Sequence, residues 1–304
     1  MADQPKAMDG KDWGLLILLS VLWGGAFFFA GVAVRELPPM TVVLARVAIA
    51  AAILLPVFWA LGHRLPRGLA AWRPFLIMGL LNNALPFGLI FAGQTYVTVG
   101  LAAIINAMTP LFTVLVMAGF REEKLTAMRL LGVLLGVLGV AILRGIDGAG
   151  TAQTVGIALC MAGALSYGFA ALWGRRHLAG VAPVKSATCQ LLSSTLIMAV
   201  AVAAHDRPWL LEAPSAGVWL SLAALALFGT AIAYLVFFQI LVRAGASNVM
   251  LVTLLIPVSA MLLGNIYLDE PIRAREIAGA IVIGLGLLFI DGRVPRRLHR
   301  RMLA

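Results

Sequence analysis

Charge is scarce in this sequence. Asp, Glu, Lys and Arg make up 12% of its 304 residues, while 62% are hydrophobic. A soluble domain carries about twice that share of charge. The shortage excludes a water-soluble fold, because the long stretches are apolar nearly all round instead of on one stripe. Acid is scarcer than base, with 13 Asp and Glu against 23 Lys and Arg. No Asp, Glu or His stands in the middle of an apolar run, and His63, His177, His205 and His299 all read as loop or tail residues. That absence removes the material for an intramembrane proton relay, and for the paired carboxylates or metal ligands of a membrane-embedded enzyme. No catalytic residue, metal site or cofactor is expected. Cysteine is almost missing: Cys160 and Cys189 fall inside apolar runs and read as free thiols packed as small apolar groups, which excludes a disulfide framework.

What is present is apolar length. A helix that crosses a bilayer needs about 20 mostly apolar residues. Ten such stretches can be drawn, at 13–34, 40–61, 74–94, 100–120, 126–144, 154–174, 184–204, 216–238, 247–268 and 274–291. The first is too long for a signal-peptide core and reads as a retained span. With the N-terminus in the cytoplasm, 17 basic residues fall on the cytoplasmic side and 5 on the other (Arg35, Arg144, Arg207, Arg273 and Arg275), leaving Arg46 inside a span. This bias puts both termini on the cytoplasmic side of the membrane. Residues 1–12 are then a cytoplasmic segment, 146–154 an external linker and 293–304 a basic cytoplasmic tail. The tail suits anionic lipid headgroups, and no nucleic-acid partner is inferred from it.

The chain also repeats itself. Pro110, Glu123, Gly132, Gly139 and Gly145 recur 147 residues later as Pro257, Glu270, Gly279, Gly286 and Gly292. One gapless displacement through five positions points to internal duplication. Pro39 and Arg46 match Pro183 and Gln190 at a displacement of 144. The halves are residues 13–145 and 155–292. Each holds five spans, an odd number, so the second half enters the membrane from the opposite side. The expected fold is therefore an all-α polytopic membrane protein, with ten transmembrane helices arranged as two inverted five-helix repeats around a central cavity. That architecture serves alternating access, with the solute near the midplane.

The stretch Asn106, Ala107, Met108, Thr109, Pro110 through Glu122 and Glu123, and its counterpart Leu255, Ile256, Pro257 through Asp269, Glu270 and Pro271, resemble those of the EamA-type permeases. These belong to the drug/metabolite transporter superfamily. Arg46, placed after Pro39 in the second span, fits the same pattern. The resemblance covers nearly the whole chain. Within the family the sequence is most similar to bacterial exporters of amino acids, including the aromatic amino acid exporter type. It implies export of small metabolites, with spans one to four and six to nine around the cavity and spans five and ten behind it.

The polar residues at depth agree with that placement, since none lies in spans five or ten. The cavity candidates are Trp23, Arg46, Asn82, Asn83, Asn106, Tyr167, Gln190 and Tyr234. Trp23 and Tyr167 each precede glycine at matching places, where a ring can stack on an apolar solute or simply pack in the bundle. Arg46, roughly 9 Å inside the outer boundary at 1.5 Å per residue, can attract a carboxylate or hold a helix end. Asn106 can line the cavity or cap the backbone disturbed by Pro110. Pro86, Pro110 and Pro257 each remove a helix hydrogen bond and are read as kinks for gating. Glu123 and Glu270 are read as structural, capping the turn before the next helix. Gly132, Gly136, Gly139, Gly279 and Gly286 are read as close helix contacts. The partners expected are a small-molecule solute and the lipid bilayer, for a monomer or weak oligomer. The alternatives are export of other amphipathic metabolites, nucleotide-sugars or drugs within the same superfamily, a channel, and an embedded enzyme. Several inward Lys or Arg for phosphate, or an acid for a cation, are missing.

The charge bias makes a topological prediction. A reporter fused after Ala304 reads as cytoplasmic and one inserted beside Asp206 as external, measured by alkaline phosphatase and fluorescent-protein fusions; both on one side would break the two-half arrangement.

Overall fold

A computed structural model of the chain describes residues 8–145, 150–249 and 251–291. Residues 1–7, linker residues 146–149, Gly292 and the tail 293–304 lie outside the described residues. Among these described residues the regular structure is helical, and eight helices are long and apolar enough to cross a membrane. They are α1 (Gly10–Ala33), α2 (Pro39–Ala60), α3 (Leu69–Gln94), α4 (Val99–Gly119), α5 (Ala127–Arg144), α6 (Thr151–His177), α7 (Pro183–His205) and α8 (Ala216–Ala244). A shorter apolar helix, α9 (Val252–Leu268), and the 18-residue α10 (Ala274–Asp291) complete the bundle. The chain is a polytopic helical membrane protein.

Local chemistry sets the helix ends. Asp9 and Asp12 form a capping box at the start of α1, and Pro39 opens α2, where its missing N–H costs nothing. Thr98, Thr126 and Ser215 each accept a backbone N–H of the first turn of α4, α5 and α8. Gly145 and Gly245, at φ +77° and +86°, end α5 and α8 in a conformation that a side chain resists.

Two helices are not regular α throughout. A π-turn occupies Leu80–Ala84 in α3 and another Leu227–Ile232 in α8. Their first residues stand 147 apart, the displacement that relates Pro110 to Pro257. Pro86 follows the first π-turn and cannot donate back into it, which accounts for the widened turn there. The three prolines behave differently. At Pro110 the helix stops at Asn106 and restarts at Thr109, whereas α9 runs unbroken through Pro257.

The helices pack in matched pairs: α5 with α10, α2 with α7, α1 with α9 and α4 with α6. Glycine decides how closely. A Cβ on Gly132 would stand 2.6 Å from the Gly286 carbonyl oxygen, and one on Gly286 would stand 2.6 Å from that of Gly132. Gly139 and Gly279 block each other in the same reciprocal way at 3.0 Å. Since Gly132 corresponds to Gly279 and Gly139 to Gly286, each glycine meets the repeat partner of the other. Gly136 is different, because it abuts Leu111 of α4. Gly24 admits Ser259 and Ala260 of α9, and Gly168 admits the Phe112 backbone of α4, so neighbouring helices fill both gaps beside Trp23 and Tyr167.

Gly132→Leu drives a side chain into a backbone carbonyl that cannot move aside. It lowers the thermal midpoint in detergent and the membrane yield, by about 1–3 kcal/mol of stability on the scale of overpacked cores. A Gly132→Leu protein melting like wild type would contradict the glycine contact.

Candidate functional site

Arg46 lies on α2, whose entry is fixed by Pro38 and Pro39. It is 7% exposed, although helical apolar residues surround it in sequence. Its Nε donates to Thr230 Oγ1 at 3.0 Å and its Nη2 to the Gly229 carbonyl at 3.3 Å. Both acceptors belong to the π-turn of α8, where the widened helix leaves polar groups open to an outside donor. The face of the guanidinium lies 3.8 Å from the centre of the Phe87 ring, with Phe91 behind at 5.7 Å. Among the described residues no carboxylate pairs with it; the ion pairs use Arg129, Arg175, Arg176 and Arg243.

A second polar knot answers the first. Asn82 Nδ2 donates to Gln190 Oε1 at 3.2 Å, and Asn83 Nδ2 to Ser194 Oγ at 3.0 Å. Asn82 and Asn83 sit in the π-turn of α3, 147 residues before Gly229 and Thr230. Gln190 on α7 thus meets the widened turn of α3 as Arg46 on α2 meets that of α8. Ser194 Oγ can also donate to the Gly79 carbonyl at 3.0 Å or to that of Gln190 at 2.6 Å, and Ser166 Oγ donates to the Leu81 carbonyl at 2.8 Å. Asn83 is fully buried, and its Oδ1 is reached by the Tyr234 hydroxyl at 3.5 Å.

The aromatic residues form a continuous wall beside these knots. Ring centres are 5.7 Å apart for Trp23 and Phe237, 5.4 Å for Phe237 and Phe238, and 6.1 Å for Tyr234 and Phe238. Tyr167 packs against the same apolar core as Tyr234 and Phe238. Phe87, over which the Arg46 guanidinium lies, belongs to that core too. The structure therefore brings together Arg46, Asn82, Asn83, Gln190, Tyr167 and Tyr234, with Trp23 at the far end of the aromatic wall. Asn106 stands apart on α4. Its Oδ1 has no partner among the described residues, and its carbonyl accepts from the Thr109 hydroxyl at 2.8 Å, so its side chain does not cap the break. Phe87, Phe91, Phe237 and Phe238 are additions to the expected set. Their signal in the sequence is the four-residue spacing of Phe87 and Phe91 after Pro86, and of Tyr234 and Phe238.

Carboxylates hold the ends of the bundle. Glu270 Oε2 accepts the Val99 N–H at 2.9 Å, capping α4 across the two halves and not the α10 helix that follows it. Burial holds its carboxyl above the ordinary range. Glu123 caps nothing and pairs with Arg129 at 2.8 Å and Arg175 at 3.1 Å. Asp206 accepts from the Thr41 N–H and hydroxyl at 3.0 and 2.7 Å, and Glu36 from the N–H and hydroxyl of Ser215, both at 2.7 Å. An apolar cleft of about 380 Å³ between α4, α9 and α10, lined by Ile104, Pro257 and Met261 among others, includes none of the residues of the polar knots.

Comparison with known proteins adds the relationship. Residues 13–145 and 154–291 each match the EamA-like transporter family. An uncharacterized transporter of Archaeoglobus fulgidus is 27% identical over 92% of this chain and 98% of its own length. The uncharacterized inner membrane transporter YedA of Escherichia coli is 28% identical over 83% of this chain and 81% of its own. A chloroplastic WAT1-related protein of Arabidopsis thaliana is 26% identical over 92% of this chain and 69% of its own. A solved crystal structure superposes with a TM-score of 0.65 at 20% identity, covering 93% of this chain and 97% of the other.

The Asn83 to Ser194 bond joins α3 to α7 within the buried knot. A double-mutant cycle of Asn83→Ala and Ser194→Ala, read by unfolding in detergent, gives a coupling of about 0.6 kcal/mol, the average for hydrogen bonds between membrane helices, and at most about 1.7 kcal/mol. Strict additivity would remove the bond.

Proposed function

This chain belongs to the EamA-like transporter family of the drug/metabolite transporter superfamily, and we propose that it exports small metabolites, chiefly amino acids with neutral or aromatic side chains, from the cytoplasm across a bacterial inner membrane. The family is one of transporters, which sets the enzyme alternative aside. The proposed mechanism is alternating access between two inverted five-helix repeats. Three features support the inversion: the constant 147-residue displacement, the two π-turns that obey it, and the crosswise glycine contacts of α5 and α10. Reciprocal contact of this kind is what a two-fold relation between halves produces.

One observation carries the choice of solute. Where α2, α3, α6, α7 and α8 meet, neutral amides, hydroxyls and aromatic rings surround a single guanidinium, and these helices contain no Asp or Glu. A phosphate-bearing solute calls for several cations and a cationic drug for an acid. A compact solute with an apolar body is matched on both counts. The widened turns are the natural place for the helices to bend as the halves rock, because their backbone already departs from the regular ladder. With no titratable acid or imidazole at depth, movement follows the solute gradient. Pro86 and the break before Pro110 are read as the flexible points of this motion, and the protein as a monomer or weak oligomer.

Purified protein in liposomes is expected to exchange labelled phenylalanine for unlabelled amino acids with no imposed proton gradient. Trp23→Ala weakens half-saturation for aromatic solutes by about 10–200-fold and for small ones less, the scale of one lost apolar contact. Strict dependence on a pH difference would overturn the facilitative mechanism.

A further inference from the structure

Among the described residues the charge of Arg46 has no anion. Burying a guanidinium without a counter-ion is costly, and neutral acceptors with a ring face offset only part of that cost. Thr230, Gly229 and Phe87 provide that part here, while the carboxylates that pair with cations, Asp9, Asp12, Glu122 and Glu123, all stand at helix ends. Among the described residues the hydrogen bonds of Arg46 run through Nε and Nη2, which leaves Nη1 for another acceptor. Tyr167 and Tyr234 pack against the buried cluster that holds Phe87, the ring over which the Arg46 guanidinium lies. The opposite knot is neutral, since Gln190 takes the place of Arg46 there.

We infer that Arg46 and Tyr167 form a carboxylate subsite, and that the transported solute is recognised by its carboxylate and its apolar or aromatic body, with its ammonium group left unread. The inference rests on the transporter reading above and narrows its substrate class to monocarboxylates. The guanidinium neutralises one negative charge and donates through Nη1, and the phenol donates a second hydrogen bond to the other oxygen. A dianionic phosphate would leave excess charge in the same place. A solute ammonium meets only neutral acceptors, because no acidic residue occurs in α2, α3, α4, α6, α7, α8 or α9. Removing it therefore changes little.

Three probes of one shape separate these elements: phenylalanine, phenylalaninamide, which lacks the anionic carboxylate, and 3-phenylpropionate, which lacks the ammonium. Their inhibition of labelled phenylalanine exchange is measured with the full-length protein in liposomes, beside their binding to the detergent-solubilised protein. Phenylalanine and 3-phenylpropionate are expected within about threefold of each other. The amide is expected at least about tenfold weaker, the scale of losing a hydrogen bond to a charged group. Arg46→Gln, which copies the residue of the other half, abolishes the preference for the acid. Tyr167→Phe removes one hydroxyl only, and weakens the two acids several-fold while leaving the amide unchanged. This second variant decides the matter if Arg46→Gln fails to fold. An amide that competes as well as the acid in wild type, a 3-phenylpropionate as weak as the amide, or a folded Arg46→Gln that keeps the tenfold preference would each overturn the subsite while leaving the transporter reading intact. A protein that neither binds nor exchanges any of the three overturns both.

Discussion

In hydrocarbon a backbone polar group has no water to fall back on, so any turn that leaves the regular helical ladder must find its partners inside the protein. The two π-turns of this chain depart from that ladder, and the remainder of the bundle supplies what they need. Thr230 and Gly229 receive the Arg46 guanidinium from α2, and Asn82 and Asn83 are held by Gln190 and Ser194 from α7. In each case the partner comes from the opposite half of the sequence. The halves are therefore joined through their least regular segments. A polar residue on a stiff, apolar helix is clamped to a place where the facing helix can bend.

The flanking contacts serve the same arrangement with different chemistry. Reciprocal glycines let α5 and α10 approach until their backbones touch, which dispersion at close range stabilises where the hydrophobic effect cannot act. At the helix ends the work passes to carboxylates. Asp206 and Glu270 of the second half and Glu36 of the first cap helices α2, α4 and α8 of the other half. Glu122 and Glu123 instead pair with Arg175 and Arg176 at the other end of the bundle. The two ends are thus fastened differently, by caps on backbone N–H groups at one and by ion pairs at the other. Ion pairs between exposed side chains are weak and screened by salt, whereas a carboxylate capping a helix also meets the positive end of its dipole.

Much of this was legible without coordinates. Apolar length alone anticipated the eight helices long enough to cross a membrane, with the largest misses at the start of α3 and the end of α8, because a bilayer imposes a composition that no soluble core imitates. The 147-residue displacement was visible in Pro, Glu and Gly, residue types whose backbone and packing demands resist replacement. Arg46 stood out as a charge among apolar neighbours, and Asn82, Asn83, Gln190 and Tyr234 as polar groups at depth, since each must be satisfied by something.

Which partner satisfies each was decided only by the tertiary structure. Arg46 meets Thr230 across 184 residues of sequence, and Glu270 caps Val99 across 171. Nothing in the local pattern of Glu270 distinguishes that cap from one on its own next helix. Gly132, Gly136 and Gly139 share a face in sequence, yet Gly136 abuts α4 and the other two α10, because 3.6 residues per turn rotate Gly136 about 40° round the helix from Gly132 while Gly139 returns to within about 20° of it. The π-turns were equally hidden, for a widened turn changes the backbone bonding and leaves the hydropathy of the segment as it was. Composition and repetition are properties of single segments and survive in one dimension. The pairing of polar groups depends on helix rotation and crossing, which are settled only when the helices pack together.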